Sequence, residues 1–389
     1  MPRSTARPRG LAVAVAVVCL ALAVTACAPR NTDTTPSTTA SQEAITDPAA
    51  ALESAYTGVV GAPPTESVPS DVSGTAWIVS CGESVTSCSS PSEGAREAAE
   101  TVGWTPTVCD GKVNPDGWTS CIRQGVAAAA SVILTIGFDC ASVAGALTEA
   151  KAADVPVIGV GGADCDAAQN GPLFSAVTTK LDGYKNSEWW TLLGQLQAKW
   201  LVGKTDGQAK VLSVDFKDQV WGPDITAGVT SVIDACEGCE VLDSVQLSNA
   251  DLATGALAQK FSAALLKNPD VNAIAVPIDG WFLAGLGQAI AASGRSDEIE
   301  VIGAFGSDAN FELIRSGGGE DATVAFSAAW DGWAGVDAAL RFLAGQPVLA
   351  SGVGLQAVDA TTNLPAAGEQ FAYTPEIDFR SAYRTAWGK

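Results

Sequence analysis

The feature that most constrains this chain is a rhythm that begins after Gly74. Short, continuously apolar runs alternate with stretches of helical period, and the whole pattern occurs twice. The first group of runs is TAWIVSCG, TPTVCDG, SVILTIGFD, VPVIGVGG and PLFSAVT, with helices expected near 92–102, 118–126 and 141–153. The second is AKVLSVDF, EVLDSVQL, VNAIAVPID, EIEVIGAFG and ATVAFSAAW, with helices expected near 187–202, 224–235, 252–266, 282–293, 310–316 and 332–343. A strand that is apolar along its whole length needs cover on both faces, and βαβ crossovers supply it. The chain therefore reads as α/β, with two successive doubly wound parallel sheets of about five strands each. Its 389 residues also exceed what a single core ordinarily supports.

What precedes the rhythm is of a different kind. Arg3, Arg7 and Arg9 form a basic start, and Leu11 to Val24 is an apolar run of 14 residues. That is short for a permanent membrane span. A basic region, a short apolar region and small residues before a cut site describe a secretory signal over 1–26. The alternative, a membrane anchor or buried helix, fits the length less well. Val24-Thr25-Ala26-Cys27 resembles the bacterial lipobox, in which the cysteine receives a diacylglycerol and the chain is cut just before it. Two or more acyl chains hold a protein stably on a bilayer, where one binds marginally. Residues 27–73 then read as a lipidated N-terminus and flexible linker, polar and threonine-rich from 31 to 41. One short helix is expected in it, started by Asp47-Pro48 and stopped by Gly58. The prolines from Pro63 to Pro69 cannot continue it.

Charge and missing residue types exclude whole classes of function. The formal charge is −21, and it becomes −24 once the signal and its three arginines are removed. Such a surface repels nucleic-acid phosphate and keeps a soluble body off an anionic membrane. Histidine is absent, which removes Ser-His-Asp and Cys-His catalysis and most catalytic zinc sites. No cofactor is called for.

Cys19 leaves with the signal and Cys27 takes lipid, so eight cysteines remain. An even number in an exported chain favours disulfides. Zinc knuckles need paired close spacings, and only Cys236 and Cys239 have one. Cys81 and Cys88 bracket one strand-to-helix loop. Cys109 ends a strand, and Cys121 lies in the next helix. Cys140 and Cys165 follow the third and fourth strands, which are neighbours in a flavodoxin-like order. Pairing 81–88, 109–121, 140–165 and 236–239 is the arrangement this order favours, with the last closing the tightest loop.

The segment DGKVNPDGWTSCIRQGVAAAASVILTIGFDCASVAGALTEAKAADVPVIGV resembles the first lobe of type I periplasmic binding proteins, in particular the sugar-binding branch. The cues are its DGK-x-x-P turn, the I-x-Q-G helix end and the A-K-A-A-x-V-P-V-I strand entry. NPDVNAIAVPIDGWFLAGLGQAIAASGR and VIGAFGSDANFELIRSGG resemble the second lobe, and the likeness runs over about 74–345. It implies two lobes joined by hinge strands, one of 74–180 plus 329–350 and the other of 181–328 plus 351–389. A small ligand, in this branch a carbohydrate, would sit between them. The lobes would close over it and present it to an ABC permease with its ATPase. By the same resemblance the protein is expected to be a monomer, extracytoplasmic, held on the outer face of a bacterial cell membrane by Cys27. The physics agrees: ligands of open parallel sheets bind beyond the carboxyl ends of strands, and a tether raises local concentration near one transporter.

Candidate ligand residues are polar or aromatic side chains just past those strand ends. In the first lobe they are Glu83, Phe138 and Asp139. In the second they are Asp218, Gln219, Trp221, Asp279, Trp281 and Asp308. Trp330 and Asp331 follow the strand that should return to the first lobe. Carboxylates accept paired hydrogen bonds from sugar hydroxyls, and aromatic faces stack on a sugar's C–H face. Each has a plainer role open to it. Asp139, Asp308 and Asp331 stand where a carboxylate caps a helix. Phe138, Trp221, Trp281 and Trp330 could be core or hinge packing. Glu83, Asp218 and Asp279 could be solvated or capping charges. The sugar-binding relatives commonly carry an arginine beside the aspartate after strand three and another after the first strand of the second lobe. Here those places hold Phe138-Asp139 and Asp218-Gln219-Val220-Trp221, so a more acidic and aromatic pocket is expected. Two other uses fit the same residues: a ligand-sensing subunit for a membrane kinase or chemoreceptor, and an exported glycoside hydrolase with carboxylates such as Asp139 and Asp279. A related transcriptional repressor is disfavoured, because no basic helix-turn-helix precedes Gly74.

Overall fold

A computed structural model describes residues 44–69, 74–166, 168, 170–367 and 377–389. The signal, Cys27 and the leash to residue 41 lie outside the described residues. Among those described, no helix is long and apolar enough to cross a membrane.

The first sheet contains β1 (Thr75–Ser80), β2 (Thr105–Asp110), β3 (Val132–Ile136), β4 (Val157–Val160) and β5 (Ala176–Val177). All are parallel, in the order β2-β1-β3-β4-β5. The second contains β6 (Lys210–Phe216), β7 (Glu240–Leu247), β8 (Ala273–Ala275), β9 (Glu300–Phe305), β10 (Ala322–Ala325) and β11 (Gln356–Asp359). Its parallel part, β7-β6-β8-β9-β10, repeats the order of the first sheet. β11 adds an antiparallel edge beside β10. The fold is thus two α/β lobes of the type I periplasmic binding protein kind.

The helices show why the lobes close up where they do. Asp47 accepts a hydrogen bond from Ala50 N–H (3.1 Å) to start α1 (Pro48–Thr57), and Gly58 ends it at φ 61°. Within the expected linker this helix is bound: Ala51 and Ala55 are buried, and Tyr56 donates its hydroxyl to Asp359 of β11. In the first lobe α2 (Thr86–Val102) packs on α11 (Ala328–Leu343), and in the second α5 (Asn186–Lys204) packs on α6 (Trp221–Asp234). Both crossings are built on glycine. A Cβ on Gly94 would lie 2.4 Å from Ala329 O, and one on Gly332 2.2 Å from Pro91 O. Likewise Gly194 faces Ile225 O at 2.0 Å and Gly228 faces Thr191 O at 2.0 Å. Helices this close leave no room for a side chain between them.

Three expected elements differ. The helix foreseen over 252–266 is broken at Gly255 (φ 73°) into α7 (Asn249–Thr254) and α8 (Leu257–Lys267). That foreseen over 282–293 opens with a π-helical turn, Phe282–Leu286, containing Gly285 at φ 120°, before α9 (Gly287–Ser293). The run ATVAFSAAW is a strand only to Ala325, because Ser327 caps α11 and turns Ala328 onward into helix.

Between β1 and β11 the chain passes between lobes at 178–185, 326–327 and 344–355. The first and last of these run side by side, with Ser351 N–H donating to Thr179 O (2.8 Å) and Gly352 N–H to Lys180 O (2.6 Å). The segment expected in the second lobe after residue 351 divides. β11 stays there, while α12 (Phe379–Trp387) packs on α11, with Trp387 stacked on Trp333 (5.2 Å) and Phe379 on Trp330 (5.2 Å). The four disulfides join Cys81 to Cys88, Cys109 to Cys121, Cys140 to Cys165 and Cys236 to Cys239, as the strand order favoured.

Candidate ligand cleft

Because the two sheets share one strand order, their carboxyl ends can face each other across a gap. A cavity of about 340 Å³ fills that gap. From the first lobe it is lined by Ser84 after β1, Thr86 and Ser87 in the first turn of α2, Val113 after β2, Trp118 on α3 (Pro115–Ala127), Gly137 after β3 and Gly161 after β4. From the second it receives Phe216, Gln219 and Trp221 at β6, Asn249 after β7, Asp279 and Trp281 after β8, and Phe305 and Ser307 at β9. Phe326 and Asp331 enter from the crossing to α11.

The walls are aromatic. Trp190 stacks on Trp221 with centroids 4.9 Å apart, and Trp221 meets Phe216 at 5.2 Å and Phe305 at 5.8 Å. Trp281 stands edge-on to Phe216 at 5.4 Å. On the opposite wall Trp118 stacks flat on Phe138 at 4.6 Å and donates its indole N–H to Cys81 O (2.9 Å). Ring faces held this rigidly suit the C–H face of a flat, weakly polar guest.

The charged groups are few and engaged within the protein. Among the lining residues only Asp279 and Asp331 are charged types. Asp331 is held by Lys180, a buried ammonium that also lies over the rings of Trp189 (4.5 Å) and Phe326 (5.3 Å). The lysine is therefore satisfied by its own chain and offers nothing to an anionic ligand. Asp279 accepts a hydrogen bond from Gly306 N–H (2.7 Å). Burial pushes its carboxyl up to about 7, against the pull of the N–H groups of Gly306, Ser307 and Gly280. Behind it sits Glu320, fully buried and raised well above the ordinary carboxyl range by burial and by the Asp279 charge. Asn310 joins them, its amide N–H2 donating to Asp279 O (2.7 Å) and to Glu320 Oε2 (2.6 Å). Gln219 is also buried, and its Oε1 has no hydrogen-bond partner. That oxygen is sealed within the cavity wall.

Five of the sequence-predicted ligand residues thus meet at one cavity: Gln219, Trp221, Asp279, Trp281 and Asp331. The other six stand elsewhere. Glu83 is on an exposed turn, where its N–H donates to Asp110 (3.0 Å). Phe138 backs Trp118. Asp218 is exposed and accepts from Asn249 N–H (2.7 Å). Asp308 is an exposed first-turn residue of α10 (Asp308–Ser316). Trp330 is turned into the core by the early start of α11 and stacks on Phe379. Asp139 is buried, with both oxygens accepting backbone N–H groups, from Ala163 (2.8 Å) and Val220 (2.9 Å); burial raises its carboxyl, opposed by those two bonds. Sequence reasoning missed Trp118, Trp190, Phe216, Phe305, Phe326, Asn249 and Asn310. Only the tandem Trp189-Trp190 just after a crossing gave any signal, since a bulky pair there must pack against something in the gap.

The sequence model of the periplasmic binding protein domain matches residues 76–347. The chain belongs to that family. No curated protein matches this periplasmic binding protein in sequence. Among solved structures, it is similar to the periplasmic binding protein component of the arabinose ABC transporter from Shewanella sp. ANA-3, bound to α- and β-L-arabinofuranose. The two are 20% identical, with 74% of this chain and 92% of that one covered and a TM-score of 0.60. An ABC transporter solute-binding protein from Mycobacterium smegmatis with bound glycerol is 15% identical, covering 78% and 100%, with a TM-score of 0.63. The 5-methylthioribose transporter solute-binding protein from Thermotoga lettingae TMO, in complex with that ligand, is 17% identical, covering 83% and 99%, with a TM-score of 0.61. At such identities the likeness is one of fold.

Proposed function

We propose that this periplasmic binding protein is the lipid-anchored receptor of an ABC importer and captures an uncharged sugar with an apolar face or substituent. The observation that carries the reading is the cavity itself: aromatic walls from both lobes and, among the described lining residues, only Asp279 and Asp331 as charged types, with no cation to hold a carboxylate or phosphate. Sugars bound by the arabinose- and methylthioribose-binding relatives are of this class. Gln219, Trp221, Asp279, Trp281 and Asp331 are the proposed contacts, with Trp118, Trp190, Asn249 and Asn310 added to them. Lipidation at Cys27 places the protein on the outer face of the cell membrane, where a monomer delivers ligand to a permease. The lobes are taken as 74–180 with 329–350, and 181–328 with 351 to the end of β11. Binding rather than turnover is the role, because the carboxylate once paired with Asp279 for hydrolysis, Asp139, is bonded through both oxygens to backbone.

A thermal-shift screen of neutral sugars, deoxy sugars, sugar acids and nucleosides tests this. A neutral sugar should raise the melting temperature by mass action, and sugar acids should not. Trp221→Ala and Asp279→Ala should each abolish the rise while the unliganded protein still folds. Normal affinity in both variants would remove the cavity as the site.

A further inference from the structure

Asp139 lies just past β3 in the first lobe and is 4% exposed. Its Oδ1 accepts from Ala163 N–H (2.8 Å), in the loop after β4 of the same lobe. Its Oδ2 accepts from Val220 N–H (2.9 Å), in the second lobe, immediately before α6. The Cys140–Cys165 disulfide ties the two first-lobe loops together, so the carboxylate is presented from a braced platform. On the other side, Val220 stands between Gln219 and Trp221, both of which line the cavity. The N-cap residue Val220 supplies no side-chain cap to α6. The orphan amides at a helix start favour a negative acceptor, and here that acceptor comes from across the cleft.

We propose that Asp139 is a closure latch: a positioning residue that fastens the first lobe to the backbone carrying Gln219 and Trp221, and so sets ligand affinity without touching ligand. Hydrogen bonds with an ionised acceptor are stronger than neutral ones, and this one exists only while the lobes are together. It stabilises the closed form directly and aligns two cavity residues as it forms. A ligand that enters the open cleft gives up less free energy in closing it, because the latch forms as the lobes meet. The inference rests on the reading that the lobes open and close about a ligand.

The test uses the unliganded mature chain. Asp139→Asn replaces one accepting oxygen by a donor, which cannot face both N–H groups. Val220→Pro deletes the second-lobe donor and leaves Asp139 bonded to Ala163. Val220 has φ −65°, the value proline requires, so the second variant stays informative if the first folds poorly. Small-angle scattering should show both variants shifted to a larger radius of gyration than the wild type. Amide exchange at Val220 should be about tenfold faster in Asp139→Asn, as loss of a charged hydrogen bond implies, with the interior of α6 unchanged. Wild-type scattering in both variants, or unchanged exchange at Val220, overturns the latch. If both variants open while no sugar raises the wild-type melting temperature, the latch stands and the sugar reading falls.

Discussion

Asp279 and Glu320 carry the sharpest consequence at the scale of single residues. Two buried carboxyls stand here, one at the cavity wall and one behind it, with no cation among the described residues beside them; Asn310 donates to the Glu320 carboxylate and to the backbone carbonyl of Asp279. Each is held above its ordinary value, so each contributes most to stability when protonated. That contribution is complete below the unfolded value of about 4 and is lost as pH rises through about 7 for Asp279. Asp321, raised to about 6 by burial, acts in the same direction. The melting temperature should therefore fall between pH 5 and pH 8, and Asp279→Asn should remove much of that slope. Melting scans at several pH values decide it; an undiminished slope in the variant would place its source elsewhere. The sequence marked Asp279 as a residue past a strand end. It could not show Glu320 behind it, because the contact is made by a residue from the turn before β10. Nor could it show Trp330 and Asp331 parting company. One helical step separates their side chains by about 100°, and the cap at Ser327 decides which of them faces the cleft.

At the scale of elements, each lobe is pinned by a helix pair that crosses through glycine. Gly194→Ala would drive a methyl to within 2.0 Å of Ile225 O and 3.0 Å of Val229 N. Both are backbone atoms, which cannot rotate away, so α5 and α6 must separate. The cost should be about 1–3 kcal/mol or more, read as a lower urea midpoint in equilibrium unfolding. Gly145, where an added Cβ meets nothing within 4 Å, provides the control position. The strands were legible because apolar runs flanked by turn residues leave few alternatives. Helix ends were less so. α2 begins at Thr86, before Pro91, and α3 begins at Pro115 under an Asn114 cap whose Oδ1 accepts from Gly117 N–H (2.8 Å). Periodicity marks the buried middle of such helices and is silent about a polar first turn. The two broken helices, at Gly255 and Gly285, had glycine as their only sign, and a glycine inside a helical pattern is often simply tolerated.

At the scale of the molecule, two lobes of one strand order enclose one cavity. The proposed anchor at Cys27 is separately testable. A chain lipidated at Cys27 should sediment with membranes, and Cys27→Ser should release it to the soluble fraction with its melting temperature unchanged. A membrane-bound serine variant would point to an uncleaved signal instead. What the sequence determined by itself was the architecture: two successive doubly wound lobes and four disulfide pairings. Strand hydrophobicity, cysteine position and short motifs are local, and they report on local neighbours. What only the tertiary structure decided was who faces the gap. Trp190 enters the cavity from α5 and Phe326 from a lobe crossing, Lys180 is neutralised by Asp331, and Asp139 is joined to Val220 across 81 positions of chain. Such pairings depend on how two finished lobes are set against each other, and sequence spacing carries no record of that.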